Sequence, residues 1–255
     1  MARYQVILAY DGTEFSGLQS QASARTVQDV FELALHKIGW PGKSVLMAGR
    51  TDAGVHALGQ VAAFDFDWLH STADLRNALN ANLPNDMSVW QTQRVADDFH
   101  PRYDAVARVY RYQILCLPYR HPVRERYCWR IWPSVDMERM QIGANFLVGV
   151  HDFASFGTPP KSGGVTTREI FSAAWEVDDD AFTFEVSANA FLYHMVRRMV
   201  KLLVDVGQGK VEPQEVYRYL QPTENSGVLE MVPGLAPANG LFLMEVRYQS
   251  VGDRN

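Results

Sequence analysis

The chain has 255 residues, 47% of them apolar and 21% charged, with a formal net charge of −5. That composition excludes a disordered chain, and no apolar run approaches the ~18 residues a membrane span needs. An acidic total also argues against indiscriminate nucleic-acid binding, although a locally basic groove survives it because Coulomb steering acts over about 8–10 Å in salt. Gln5, Asp11 and Glu14 interrupt any secretory signal near the start, so cytoplasmic residence is expected. Cys116 and Cys128 are not spaced as a Cys-x-x-Cys pair and read as inert, partly buried thiols.

In chain order, Arg3-Tyr4-Gln5-Val6-Ile7-Leu8 reads as a strand. Val27, Val30, Phe31, Ala34, Leu35 and Ile38 then fall on one face of a helix, capped by Thr26 and ending at Gly39. Gln60 to Phe66 alternates as a strand, and a helix is expected from Asp74 to Leu83. The order then repeats. Arg111-Tyr112-Gln113-Ile114-Leu115 is a second strand, and a helix follows from an Asp136 cap through Met137, Met140, Ala144, Leu147 and Val148 to Gly149. Next come a strand at Phe182 to Val186 and a helix from Leu192 to Val206. A last helix starts at Pro213, and Leu241 to Val246 is a closing strand. The repeated order predicts an α+β protein of two duplicated halves sharing a largely antiparallel sheet, split into 1–105 and 106–255. Two Gly- and Pro-rich loops, Thr158 to Gly164 and Gly227 to Gly240, could close over a substrate or merely connect elements.

Between His100 and Arg130, seven arginines (102, 108, 111, 120, 124, 126, 130) face only two acids, Asp104 and Glu125. Six aromatic residues interleave them, a combination suited to phosphates and unstacked bases, or to a solvated strand pair. On the 192–206 helix, His194, Arg197, Arg198 and Lys201 form a cationic stripe beside an apolar one. Chemistry concentrates on Gly49-Arg50-Thr51-Asp52-Ala53-Gly54-Val55-His56. On an extended segment Arg50 and Asp52 leave the same face, so Asp52 could act as nucleophile or base, or simply cap a turn. Gly49 to Gly54 lacks the Lys-Ser/Thr of a phosphate loop, Val206-Gly207-Gln208-Gly209 follows a helix rather than a strand, and the seven histidines lack zinc-ligand spacing. No metal and no cofactor are expected.

The 49–56 run resembles the active-site motif of the TruA-type tRNA pseudouridine synthases. So do Tyr10-Asp11-Gly12-Thr13 with Phe15 and Gly17, the stretch Phe99 to Tyr112, His151-Asp152-Phe153 with Phe156, Asn189 to Arg197, and Pro237-Ala238 with Gly240-Leu241. They occur in family order from near residue 4 to near residue 248. The resemblance implies two ferredoxin-like halves, helices on one side of the sheet, and a catalytic cleft between the halves. It implies isomerisation of uridine to pseudouridine at positions 38, 39 and 40 of the tRNA anticodon stem-loop, by a homodimer. By resemblance Asp52 is the nucleophile, attacking C6 of uracil or C1′ of ribose, and Arg50 places the flipped nucleotide. Tyr110 stacks on the base, Arg197 pairs with the aspartate, and Leu241 lines the base pocket. Arg198, Arg102, Arg108, Arg111 and Arg168 are the expected substrate-binding cations. Two departures stand out: Leu18 where the family commonly has tryptophan, and Arg198 where asparagine is frequent. A glycosidic-bond hydrolase using Asp52 and a non-catalytic tRNA-binding protein are the rivals, the first weakened because such hydrolases usually pair two carboxylates.

Overall fold

The computed structural model describes residues 1–161, 163–221 and 229–249. Ser162 of the first Gly- and Pro-rich loop, and Gly227 and Val228 of the second, lie outside them. In chain order the elements are β1 (Ala2–Tyr10), α1 (Val27–Lys37), β2 (Leu46–Met47), β3 (His56–Phe66), α2 (Thr72–Asn80), β4 (Met87–Arg94), β5 (Ala105–Cys116), β6 (Trp129–Ile131), α3 (Met137–Asn145), β7 (Gly149–Asp152), β8 (Thr167–Asp178), β9 (Ala181–Ala188), α4 (Met195–Gly207), α5 (Gln214–Leu220) and β10 (Leu241–Tyr248). The fold is α+β, and the chain forms two compact units, residues 1–106 with 242–249, and residues 107–241.

In the first unit β1 lies between β3 and β4, antiparallel to both, with Tyr4 opposite Phe64 and Arg94. β10 joins β3 in parallel, Phe242 opposite His56, although some 185 residues separate them in sequence. Phe31 of α1 packs edge-on against Phe64 and Tyr4 stacks on the same ring, so α1 covers the sheet through aromatic contacts. The helix begins where its cap dictates: Thr26 Oγ1 accepts from Asp29 N and donates to Asp29 Oδ2. α2 starts two residues before the expected Asp74, because Ser71 and Asp74 close a capping box. Its end is also earlier than Leu83. Asn80 turns its amide to the backbone N–H and C=O of Val89 in β4, which takes the chain out of the helix.

In the second unit β9 lies between β5 and β8, antiparallel to both, and β7 extends the sheet beyond β8. Asp136 caps α3 as expected, accepting from Arg139 N. Gln141 of α3 clamps β8 by donating to Ala173 O and accepting from Trp175 N. The start of α4 differs from the sequence expectation. Tyr193 exchanges backbone hydrogen bonds with Thr158, and His194 takes φ = +67°, so the helix begins at Met195 rather than Leu192. A contact from 35 residues away decides this boundary, and no local propensity registers it. Of the apolar stripe expected on this helix, Met195, Val196, Met199, Val200 and Leu203 are buried on it, and Leu192 is buried just before it.

Among the described residues no helix is long and apolar enough to cross a membrane, and both cysteines are free thiols. Burial pushes the Cys128 thiol above its ordinary range.

Candidate active site

In the first unit the 49–56 segment joins β2 to β3. Thr51 is buried, while Arg50 is exposed and Asp52 half-buried, so the alternation of an extended segment puts the two charged side chains on the outward side. Asp52 then opens a β-turn: Val55 N donates to Asp52 O at 3.2 Å, and Gly54, the third residue, has φ = +79°. That backbone angle explains Gly54. Gly49, by contrast, has no positive φ, and a Cβ there would meet nothing within 4 Å.

Residues 12–18 hold the turn along its length. Leu18 N donates to Thr51 O at 3.1 Å and Gly54 N to Phe15 O at 3.3 Å. Gly17, at φ = +93°, lies so close that a Cβ would stand 3.1 Å from Thr51 O. Gly12 approaches closer still, and its N–H donates to His56 Nδ1 at 3.0 Å. Asp11 Oδ1 lies 3.2 Å from the same ring nitrogen and also accepts from Thr13 N and Oγ1. Leu18, where the resemblance leads one to expect tryptophan, is buried, and its backbone N–H reaches the 49–56 segment.

In the second unit Tyr110 lies on β5 opposite Val186, buried, with Phe191 edge-on to its ring at 5.0 Å. Alternation along β5 gives Arg108 and Tyr112 the face of Tyr110 and sends Arg111 to the other, where it pairs with Glu185 at 2.9 Å. Arg108 donates to Asn189 O at 2.7 Å. The Tyr112 hydroxyl donates to Pro237 O at 2.7 Å, and burial holds it well above the usual phenol range. Gly240 packs against Tyr112, where a Cβ would stand 2.8 Å from ring atoms, and the next residue, Leu241, is buried. Arg197 of α4 is tied to the same segment, its Nε donating to Ala236 O at 2.7 Å and its carbonyl accepting from Ala236 N. The structure therefore gathers Tyr112, Arg197 and residues 236–241 around one another.

Arg198 donates to Phe156 O at 3.3 Å, and burial, then the neighbouring Arg197, lowers its pKa. Arg168, at the start of β8, donates to Val165 O and Thr167 O, with burial lowering its pKa as well. Arg102 lies in the first unit, in the turn after Pro101, with its guanidinium over Tyr103.

Two expected cationic features are smaller in the structure than in the sequence. Within the arginine-rich stretch, Arg111 pairs with Glu185, Arg124 with Asp180, and Arg120 and Arg130 with Glu125. Glu185 and Asp180 are remote in sequence, so the local excess of arginine overstates the local charge. On α4, His194 stands before the helix and Lys201 is paired with Asp205. Among the described residues no cluster of His, Cys, Asp and Glu side chains is arranged to hold a metal ion.

Residues 6–104 and 144–249 match the family profile described as tRNA pseudouridine synthase. Asp52, Arg197 and Leu241 fall within the matched segments, and Tyr110 falls between them. A tRNA pseudouridine synthase A from Limosilactobacillus fermentum is 40% identical over 255 residues, covering 98% of this chain and 97% of the relative. The enzyme of the same name from Thermoanaerobacter sp. is 37% identical, with 97% and 100% covered. That from Maridesulfovibrio salexigens is 39% identical, with 99% and 92% covered.

Proposed function

The chain belongs to the tRNA pseudouridine synthase family and is an intramolecular isomerase; from that premise we propose that it converts uridines 38, 39 and 40 of the tRNA anticodon stem-loop, with Asp52 as nucleophile. We propose further that it acts in the cytoplasm as a homodimer.

The reaction breaks the N1–C1′ bond of uridine and forms C5–C1′ in its place. The C5 proton leaves and N1 gains one, so nothing is oxidised and no water is consumed. A uracil stacked in a stem must first be swung out, at a cost of a few kcal/mol. An aromatic ring that stacks on the extruded base offsets about 1–3 kcal/mol of that. In this reading Tyr110 is that ring, Arg197 supplies the counter-charge for the aspartate, Leu241 borders the base, and Arg50 helps place the flipped nucleotide. Arg198, Arg102, Arg108 and Arg168 serve phosphates. Arg111, paired with Glu185 on the other face of β5, contributes least. The half formed by 1–105 carries the aspartate, and the half formed by 106–255 carries the stacking ring and the basic helix.

The observation that carries the reading is the Asp52 turn itself. A half-buried carboxylate stands at the first residue of a turn whose backbone is fixed at Thr51, Gly54 and Val55. A nucleophile needs such fixing, because effective molarity depends on holding the attacking atom in a near-attack position.

The positional claim is tested with anticodon stem-loop transcripts that carry a single uridine. Uridine at 38, 39 or 40 is expected to become pseudouridine, and uridine elsewhere in the same stem to remain. Conversion elsewhere, with those three unchanged, would overturn it.

A further inference from the structure

Beneath the Asp52 turn lies a buried polar network that the reaction does not itself require. The Tyr10 hydroxyl, at the end of β1, is 2.8 Å from Thr51 Oγ1. The Gln60 side chain, on β3, is a second hydrogen-bond partner of that hydroxyl. Gln60 Nε2 also donates to Gly49 O at 3.0 Å, and its Oε1 accepts from Val61 N at 3.1 Å. All three side chains are almost wholly withdrawn from water: Tyr10 is 4% exposed, Thr51 7% and Gln60 0%. Burial pushes the Tyr10 phenol up to about 12, so it stays a neutral hydroxyl throughout the pH range in which tRNA is handled.

We propose that Tyr10 is a positioning residue for Asp52, acting through Thr51. The network grips the chain at Gly49 and at Thr51, on both sides of Arg50 and immediately before Asp52. A buried hydroxyl pair of this kind fixes one side-chain rotamer at Thr51, and the carboxylate follows on the next Cα. The close approach of Gly17 and the bond from Leu18 N hold the Thr51 carbonyl. They leave its side chain, and hence the rotation of the segment about its own axis, to Tyr10. The proposal rests on Asp52 being the nucleophile.

The test compares Tyr10→Phe with Tyr4→Phe. Tyr4 lies on the same strand and the same face, is fully buried, and its hydroxyl accepts from Arg94 Nε at 3.2 Å. Both variants lose one buried hydroxyl partner, so both should melt at somewhat lower temperature. Only Tyr10→Phe should lower kcat, by about 10–100-fold, the range that displacement of a reacting group by about 1 Å produces. KM and the dissociation constant for tRNA should stay within about twofold, as a positioning role predicts. Thr51→Val cuts the same bond from its other end and should give the same kcat loss. The double variant should be no slower than the slower single one, since both remove one interaction. A kcat for Tyr10→Phe within twofold of the unsubstituted protein would overturn the proposal, as would an equal loss in Tyr4→Phe. Asp52→Asn, measured alongside, separates the two levels: turnover retained there would remove the nucleophile reading itself.

Discussion

Replacing Asp52 by asparagine should abolish release of tritium from tRNA labelled at uracil C5, a loss on the order of 10⁴-fold or more, as found when a nucleophile is removed. The amide has nearly the shape of the carboxylate but neither its charge nor its nucleophilicity, so the covalent step has no donor of electrons. The fold should be unaffected. Asp52 holds its turn through its backbone carbonyl, which accepts from Val55 N, and asparagine keeps that bond. Thermal stability should stay within about 0.5 kcal/mol, the ordinary range for a substitution outside the core. Binding of tRNA should also persist, because phosphate contacts from arginine supply most of the affinity for a nucleic acid. Filter binding and the tritium assay on the same preparation separate these effects. A variant that binds and folds yet releases nothing fits a nucleophile. One that releases tritium at an appreciable fraction of the normal rate removes Asp52 from the chemistry.

Gly12→Ala should be strongly destabilising for a single added methyl group. A Cβ at residue 12 would stand 2.0 Å from Val55 O, 2.5 Å from Val55 C and 3.0 Å from Val55 N. All three are backbone atoms of the residue that closes the Asp52 turn, so no rotamer change relieves the clash and the two chain segments must part. Forcing atoms into a packed site costs about 1–3 kcal/mol even where side chains can adjust. In a chain of this size that lowers the melting temperature by roughly 2–4 °C for each kcal/mol. Turnover should fall as well, because parting the segments also breaks the bond from Gly12 N to His56 and moves the turn. Gly49→Ala is the control. It lies in the same motif, its Cβ would meet nothing within 4 Å, and its stability should change by less than about 0.5 kcal/mol. If Gly12→Ala melts with the unsubstituted protein, the close packing of residues 12–18 on the turn is not what holds it.

How much of this was legible in the sequence depends on the distance over which each feature is decided. The caps at Thr26 and Asp136 and the stripe on α4 are set within one or two helical turns, and the residues alone announce them. The motif from Gly49 to His56 is contiguous, so its candidate carboxylate was visible too. What the sequence could not display is decided across the chain. Tyr193 is drawn out of α4 by Thr158, and Asn80 ends α2 by turning to Val89. Arg111 finds Glu185, and β10 returns to pair with His56 and Ala57. The same holds for the support of Asp52. Gly12 and Gly17 could be picked out as glycines in a motif, but their partners, Val55 and Thr51, lie 43 and 34 residues on. Gln60 reads as an ordinary strand residue and Tyr10 as the first residue of a motif, and nothing in either position shows that the Tyr10 hydroxyl meets both Thr51 and Gln60.

The central claim, that this chain isomerises uridine in tRNA without cleaving it, is tested most directly by following both fates of the labelled base at once. An unmodified tRNA transcript tritiated at uracil C5 is incubated with the intact protein, and the water, the free bases and the digested nucleosides are counted. Tritium is expected in the water in step with pseudouridine in the digest, with no free uracil. Free uracil accompanying the loss of label would contradict it, as would tight binding of tRNA with the label retained.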